Sequence, residues 1–231
     1  MAFKIHKNPS KIAICGTGHG WELLPLQSDH IIYGLNDLIF LEKYQVNLDV
    51  LFLMDVLDEK PKIVSGIDNL GEVVSRINKL NTPLIAPCRY AEIPLSHAFP
   101  LEEAVAKFGT PYFSNTIAYM MCFAILEGAK EIELFGVNQA GAHEYQEEKG
   151  SVEYWIGIAV GLGIKVTING KDSQLLKHKG RQGRNILYGY NTDYEGYLRD
   201  KQRFGEAVVK QLSAPTPQVS RVARRVNHDS Q

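Results

Sequence analysis

Cysteine is scarce in this chain. Cys15, Cys88 and Cys122 are its three cysteines in 231 residues, and no two of them stand at C-x-x-C spacing. Each lies among apolar neighbours, so they are expected to be reduced core thiols of a cytoplasmic protein, not a disulfide frame or a zinc site. No uninterrupted apolar run approaches the roughly 20 residues that cross a bilayer, so no membrane association is expected. Met1 to Ser10 also lacks the apolar stretch of a signal peptide. An excess of one charge is missing too: 25 Lys plus Arg stand against 26 Asp plus Glu. That excludes a histone-like or polybasic protein, though not a local basic patch. There is no G-x-x-x-x-G-K-[ST] phosphate loop, no D-x-D motif and no cluster with metal-ligand spacing. What remains is an ordinary soluble composition, 45% hydrophobic and 22% charged, in a length that buries a core without staples.

Short apolar runs alternate with helical patterns. Lys11–Cys15, His30–Tyr33, Asp49–Met54, Leu84–Ala86, Glu131–Phe135 and Ile164–Ile168 read as strands. Their hydrophobicity is continuous more than alternating, as in parallel strands covered on both faces. Between them, helices are predicted from Asn36 to about Tyr44, after Ser65 (Ile67, Leu70, Val73, Val74, Ile77), from Pro100 to Phe108, from a Ser114 cap to Glu127, and from Ser151 to about Leu162. The expected fold is α/β: a three-layer, Rossmann-like single domain with a mostly parallel sheet and helices on both faces. Residues 11–168 form the nucleotide-binding core. Residues 169–212 supply a mobile, basic, glycine-rich lid (Gly170 to Asn185) and a charged helix (Asp193 to Leu212). Residues 213–231 read as a disordered tail.

In such sheets ligands bind beyond the carboxyl ends of the strands. Gly16-Thr17-Gly18-His19-Gly20 follows the first strand, where glycines let a backbone approach phosphate. Its third glycine is at the wrong spacing for the dinucleotide fingerprint. Asn36 and Asp37 after the second strand either accept from a ribose or base, or cap a helix. Asp55 ends the third strand, as a base or as a loop cap. Ser114-Asn115-Thr116 opens an apolar helix and makes a second anion site. Gly136-Val137-Asn138-Gln139 is a further glycine and amide turn. His143, Tyr145, Glu148 and Glu153 stand where an acceptor would be met, or are exposed loop residues. Lys177, His178, Lys179, Arg181 and Arg184 form a basic cluster suited to a departing phosphate or a nucleic-acid backbone, or simply a solvated face.

The succession G-T-G, L-N-D and S-N-T-I-A-Y-M-M-C-F-A-I-L-E-G-A-K-E-I-E-L-F-G-V-N resembles two related groups. One is the small bacterial sialyltransferases, with a G-N-G-P-S-like turn, a C-N turn and T-S-G-V-Y-M…G-Y-K-E-I-Y-L-x-G-I-D. The other is the archaeal-type 6-hydroxymethylpterin pyrophosphokinases, with G-S…A…G-A-K-x-I-x-L-x-G-x-D. It is also similar to phage and prophage proteins carrying W-G-L-N-D and E-Y-x-x-G-I-A segments. The resemblance covers Lys11 to Ile168 and is best from Ser114 to Asn138. The sialyltransferase pattern implies nucleotide contacts at Thr17, Asn36, Ser114, Asn115, Gly136 and Asn138. Thr17 stands for the usual asparagine and Asn138 for the usual aspartate. The same resemblance implies a histidine base after the G-I-D turn, and His178 is in the comparable place.

The leading expectation is therefore a glycosyltransferase using a nucleotide-sugar donor, with His178 or Asp55 as base and no required cofactor. One alternative is an ATP-dependent pyrophosphokinase-like enzyme with Mg²⁺ on Asp37 and Asp55. Another is a non-catalytic nucleotide or nucleic-acid binding module. If the protein is a phage modification enzyme, DNA is a conceivable acceptor, with Arg221, Arg224 and Arg225 adding basic charge.

Overall fold

The computed structural model describes residues 4–6, 8–25, 29–35, 38, 47–55, 57, 69–140, 143–177, 187 and 192–200. The chain divides into two units, Met1–Lys177 and His178–Gln231.

The first unit runs β1 (Lys11–Cys15), β2 (Ile31–Leu35), β3 (Val50–Phe52), α1 (Leu70–Leu80), β4 (Leu84–Ala86), β5 (Ser96–Ala98), α2 (Leu101–Phe108), α3 (Thr116–Glu127), β6 (Glu131–Phe135), α4 (His143–Gly161) and β7 (Lys165–Ile168). Among the described residues the strands form one sheet in the order β5-β4-β3-β2-β1-β6-β7. Every neighbouring pair is parallel. The chain builds outward from β1 on one side and then crosses back to place β6 on the other. The switch point therefore lies between β1 and β6, whose last residues Cys15 and Phe135 are partners.

Strand alternation assigns the two faces. Ile12 and Ile14 of β1 join Tyr33, Phe52 and Ile85 in a cluster with α3, α4 and Ala104 of α2. Ala13 and Cys15 face the other way, as do Leu51 and Leu84, which pack on Val73 and Ile77 of α1. Helices thus cover both faces, the three-layer arrangement expected from continuously apolar strands.

Helix α3 is central. Ten of its twelve residues are buried, from Ile117 to Glu127. A helix apolar all round has no solvent face to offer. Its buried acid, Glu127, is satisfied by the N-terminal segment and by β2: Oε1 accepts from the Ile5 and His6 N–H groups at 2.7 and 2.6 Å, and Oε2 accepts from the Tyr33 hydroxyl.

Several expectations change. Asn115, not Ser114, caps α3: its Oδ1 accepts from Ala118 N at 2.9 Å. Helix α4 starts at His143, eight residues before Ser151, which is instead a buried residue within it. Strand β5 was not foreseen, and the sheet is wholly parallel. Cys15 and Cys122 are buried, but Cys88 is exposed. Of the segment expected to be a lid, Ser173 and Leu175 are buried, and residues 178–185 fall outside the described residues. The helix expected at 36–44 falls outside the described residues apart from Leu38, and so does the tail. No helix among the described residues is long and apolar enough to cross a membrane.

In the second unit residues 194–200 are helical. Asp193 caps them, accepting from Gly196 N at 2.8 Å through Oδ1 and from Tyr197 N at 2.8 Å through its carbonyl.

Candidate functional site

A cleft of about 730 Å³ opens over the carboxyl ends of the strands at the switch point. Residues proposed from the sequence line it, among them Gly16, Thr17, Gly18, Asp55, Ser114, Asn115, Gly136, Asn138 and Glu148. The turn after β1, the segment after β3, the turn after β6, the start of α3 and helix α4 supply them.

The two turns are interlocked. Gly16 N donates to Phe135 O, and Gly18 N donates to Gly136 O, both at 2.8 Å. A Cβ on Gly16 would stand 2.6 Å from the Gly136 oxygen, and one on Gly18 would stand 2.7 Å from it. Gly136 has φ +63°, and its Cβ would stand 2.8 Å from the carbonyl oxygens of both Gly16 and Gly18. These glycines let two backbones touch, which is a demand of the fold before any ligand is present.

The second turn is also held from behind. Ser173 Oγ donates to Val137 O at 2.9 Å, and Gln174 N donates to Asn138 O at 2.7 Å. Gln139 sits in the left-handed region at φ +48°. Asn138 Oδ1 and Gln139 Oε1 are buried atoms without a hydrogen-bond partner in the structure. Two unsatisfied amide oxygens beside a cleft are a cost that a ligand donor can relieve.

At the start of α3, Asn115 uses both ends of its amide. Oδ1 caps the helix, and Nδ2 donates to Glu148 Oε2 at 3.4 Å. Ser114 turns its hydroxyl to α4, 2.5 Å from Ser151 Oγ and 3.2 Å from Glu148 O. The N–H groups of Thr116 and Ile117, both cleft residues, precede the first intrahelical bond. The described lining holds two carboxylates, Asp55 and Glu148, and no lysine, arginine or histidine. Cys15, next to Gly16, has its thiol pushed up to about 12 by burial and by Glu22, which removes it as a nucleophile at neutral pH.

Two residues expected at the acceptor side serve elsewhere. Glu153 Oε1 accepts from Leu176 N at 2.5 Å and pairs with Lys149 at 3.2 Å. Lys149 Nζ donates to Lys177 O, and Lys177 Nζ to Lys171 O, at 2.8 and 3.1 Å. Glu153 and Lys177 thereby help to fasten residues 171–177 to α4 and to one another; neither lines the cleft. His143 and Tyr145 lie at the start of α4, and their side chains fall outside what is described. Asn36, Asp37, His178 and Arg181 lie outside the described residues. The sequence reading missed Leu35, Met54, Phe113 and Tyr119, which give the cleft an apolar part. Thr116 and Tyr119 are three apart on α3 and share one helix face, the signal that was available for Tyr119.

No protein-family model and no curated protein matches this chain. Solved structures do. An α-2,3-sialyltransferase from Campylobacter jejuni in apo form is 16% identical, with a TM-score of 0.50 over 88% of this chain and 97% of that one. The sialyltransferase CstII from Campylobacter jejuni, in complex with the substrate analogue CMP-3FNeuAc, is 17% identical, with a TM-score of 0.47 over 83% of this chain and 98% of that one. At this identity the first likeness concerns architecture alone: the chain has the parallel, Rossmann-like α/β fold found in that sialyltransferase.

Proposed function

We propose that this protein is a glycosyltransferase that takes a nucleotide sugar as donor. The observation that carries the reading is the set of elements meeting in one cleft. Two interlocked glycine turns and the start of α3 converge there at the switch point of a parallel sheet. Such a place presents backbone N–H groups and helix-dipole charge to a phosphate, and amide side chains to a ribose. The shared fold with a sialyltransferase makes nucleotide sugars the donor class to examine first.

In this reading an acceptor hydroxyl loses its proton to a base and attacks the anomeric carbon. The bond from that carbon to the phosphate oxygen breaks, and the nucleotide leaves with the electron pair. Asp55 is the base favoured by position, since it lines the cleft after β3; His178 is the base implied by the family resemblance. Thr17, Ser114, Asn115, Gly136 and Asn138 hold the nucleotide, with Asn36 and Asp37 beyond the second strand. N–H groups at the α3 start stabilise the charge that grows on the leaving phosphate.

Thermal-shift measurements test the binding step. The panel is CMP, UDP, GDP, ATP and the common sugar conjugates, each with and without Mg²⁺. A ligand at about 100 times its dissociation constant stabilises by about 2.7 kcal/mol. A shift confined to one nucleotide family and its sugars, alike with and without Mg²⁺, supports the reading. A shift with ATP alone that requires Mg²⁺ replaces it with the pyrophosphokinase.

A further inference from the structure

The aromatic wall of the cleft has no part in the chemistry above. Trp155, Phe113 and Tyr119 form a stack of nearly parallel rings. Phe113 lies 4.9 Å from Trp155 at 16° and 4.4 Å from Tyr119 at 14°. Trp155 is fully buried, and its Nε1 donates to Tyr112 O at 2.9 Å, which fixes the inner end of the stack. Phe113 is covered on both faces. Tyr119 is the outer ring, and it lines the cleft.

Phe99 meets Phe113 and Tyr119 edge to face, at 5.6 and 4.9 Å. Its similar distance from both, with those two only 4.4 Å apart, places it beside the pair and not beyond Tyr119. No described ring caps the outer face of Tyr119. Leu35 and Met54, at and beyond the ends of β2 and β3, share two properties with Phe113 and Tyr119: they pack on the main core and also line the cleft. The lining therefore joins an apolar group of residues to the polar turns. A ligand that suits both has a flat ring at one end and hydrogen-bonding groups at the other.

We propose that Tyr119 is the stacking platform for the base of the donor nucleotide, extending the Trp155–Phe113–Tyr119 stack by one ring. This rests on the nucleotide-binding reading above and adds to it the place of the base. The platform is already built, so little side-chain freedom is lost when the base arrives. Burial pushes the Tyr119 hydroxyl above its usual pKa, so the ring stays neutral at physiological pH.

Isothermal titration of the full chain tests this with the nucleoside monophosphates CMP, UMP and AMP, and with ribose 5-phosphate, which has no base. The variants are Tyr119→Leu and Tyr119→Phe. Base stacking on an aromatic side chain predicts a loss of roughly 10- to 100-fold for the bound nucleotide in Tyr119→Leu. Tyr119→Phe keeps the ring and stays within about threefold of wild type, because stacking does not need the hydroxyl. Ribose 5-phosphate binds all three proteins alike. Intermolecular NOEs in the wild-type complex, from aromatic ring protons to base protons, give a reading that does not depend on the Leu variant folding. Undiminished nucleotide binding by Tyr119→Leu overturns the platform and leaves the nucleotide reading intact. So do NOEs from the rings to sugar protons alone, or an equal loss of ribose 5-phosphate. Failure of wild type to bind any nucleotide overturns both.

Discussion

Gly18 donates its N–H to the carbonyl of Gly136 at 2.8 Å, joining the turn after β1 to the turn after β6. The two turns approach so closely that no side chain fits between them. Gly136→Ala adds a Cβ 2.8 Å from two carbonyl oxygens at a φ of +63°. It should cost about 3 kcal/mol or more, as clash adds to backbone strain. Gly109→Ala is the comparison: its φ is +74°, but nothing lies within 4 Å of the new Cβ. That substitution should cost only about 1 kcal/mol. Urea denaturation of both variants checks the pair, and equal losses would mean that the contact between the turns is unimportant.

Ser114 and Ser151 tie the start of α3 to α4. Their hydroxyls are 2.5 Å apart, one donating to the other, and both lie within hydrogen-bond distance of Glu148 O. Ser114→Ala and Ser151→Ala should each cost about 1 kcal/mol. The double variant should cost less than the sum, by about 0.5 kcal/mol or more, because each single change already breaks the shared bond. A double-mutant cycle in denaturant reads this directly.

The thiols should separate by burial. Cys88 is exposed, whereas Cys15 and Cys122 are buried. A thiol reagent at neutral pH should label Cys88 at once and the other two only on unfolding. Rapid labelling of all three in the native protein would contradict the packing of α3 and β1.

Those buried thiols also set a direction for pH. Burial raises Cys15 from 9.0 to about 12 in the folded state, and Cys122 shifts the same way. The unfolded chain releases these protons first as pH rises, so the folded state loses relative stability above about pH 9. The slope is about 1.4 kcal/mol per pH unit for each thiol until its folded pKa is reached. Denaturation midpoints between pH 8 and pH 10.5 should therefore fall, and Cys15→Ala should reduce the slope.

Much of the architecture was legible because it rests on local pattern. Strand β1 is an apolar run and β6 an acidic-apolar alternation, each ended by glycine, and α3 is apolar with a clear stop at Gly128. The missed pieces depend on tertiary partners. Strand β5, Ser96–Ala98, is three residues long and has weak β character, and it pairs only because β4 lies beside it. The start of α4 is polar from His143 to Lys149, with no apolar period, and the burial of Val152, Trp155 and Ile156 further on anchors the helix. In the site, the glycine turns and Asn138 were found from their place after strands. Phe113 was not, since an aromatic at the edge of a core run looks like any other core residue, and Tyr119 was legible only from its place one turn beyond Thr116. The glycines themselves were read as room for a phosphate, when the immediate demand is the approach of one turn to the other.

Asp55 carries the prediction closest to the chemistry. On the proposed mechanism Asp55→Asn keeps the shape and removes the base, so transfer should fall by about 100-fold or more while nucleotide affinity holds. Unchanged transfer would shift the role to another base, with His178→Ala the next variant to assay.

The most direct measurement follows nucleotide sugars by phosphorus NMR in the presence of the purified full chain, with EDTA in one series and Mg²⁺ in another. The account predicts that one nucleotide sugar is consumed and its nucleoside mono- or diphosphate released, at similar rates in both series, and more slowly with Asp55→Asn. Consumption of ATP alone, only with Mg²⁺ and with AMP as product, would contradict it, as would the absence of turnover with every nucleotide sugar tried.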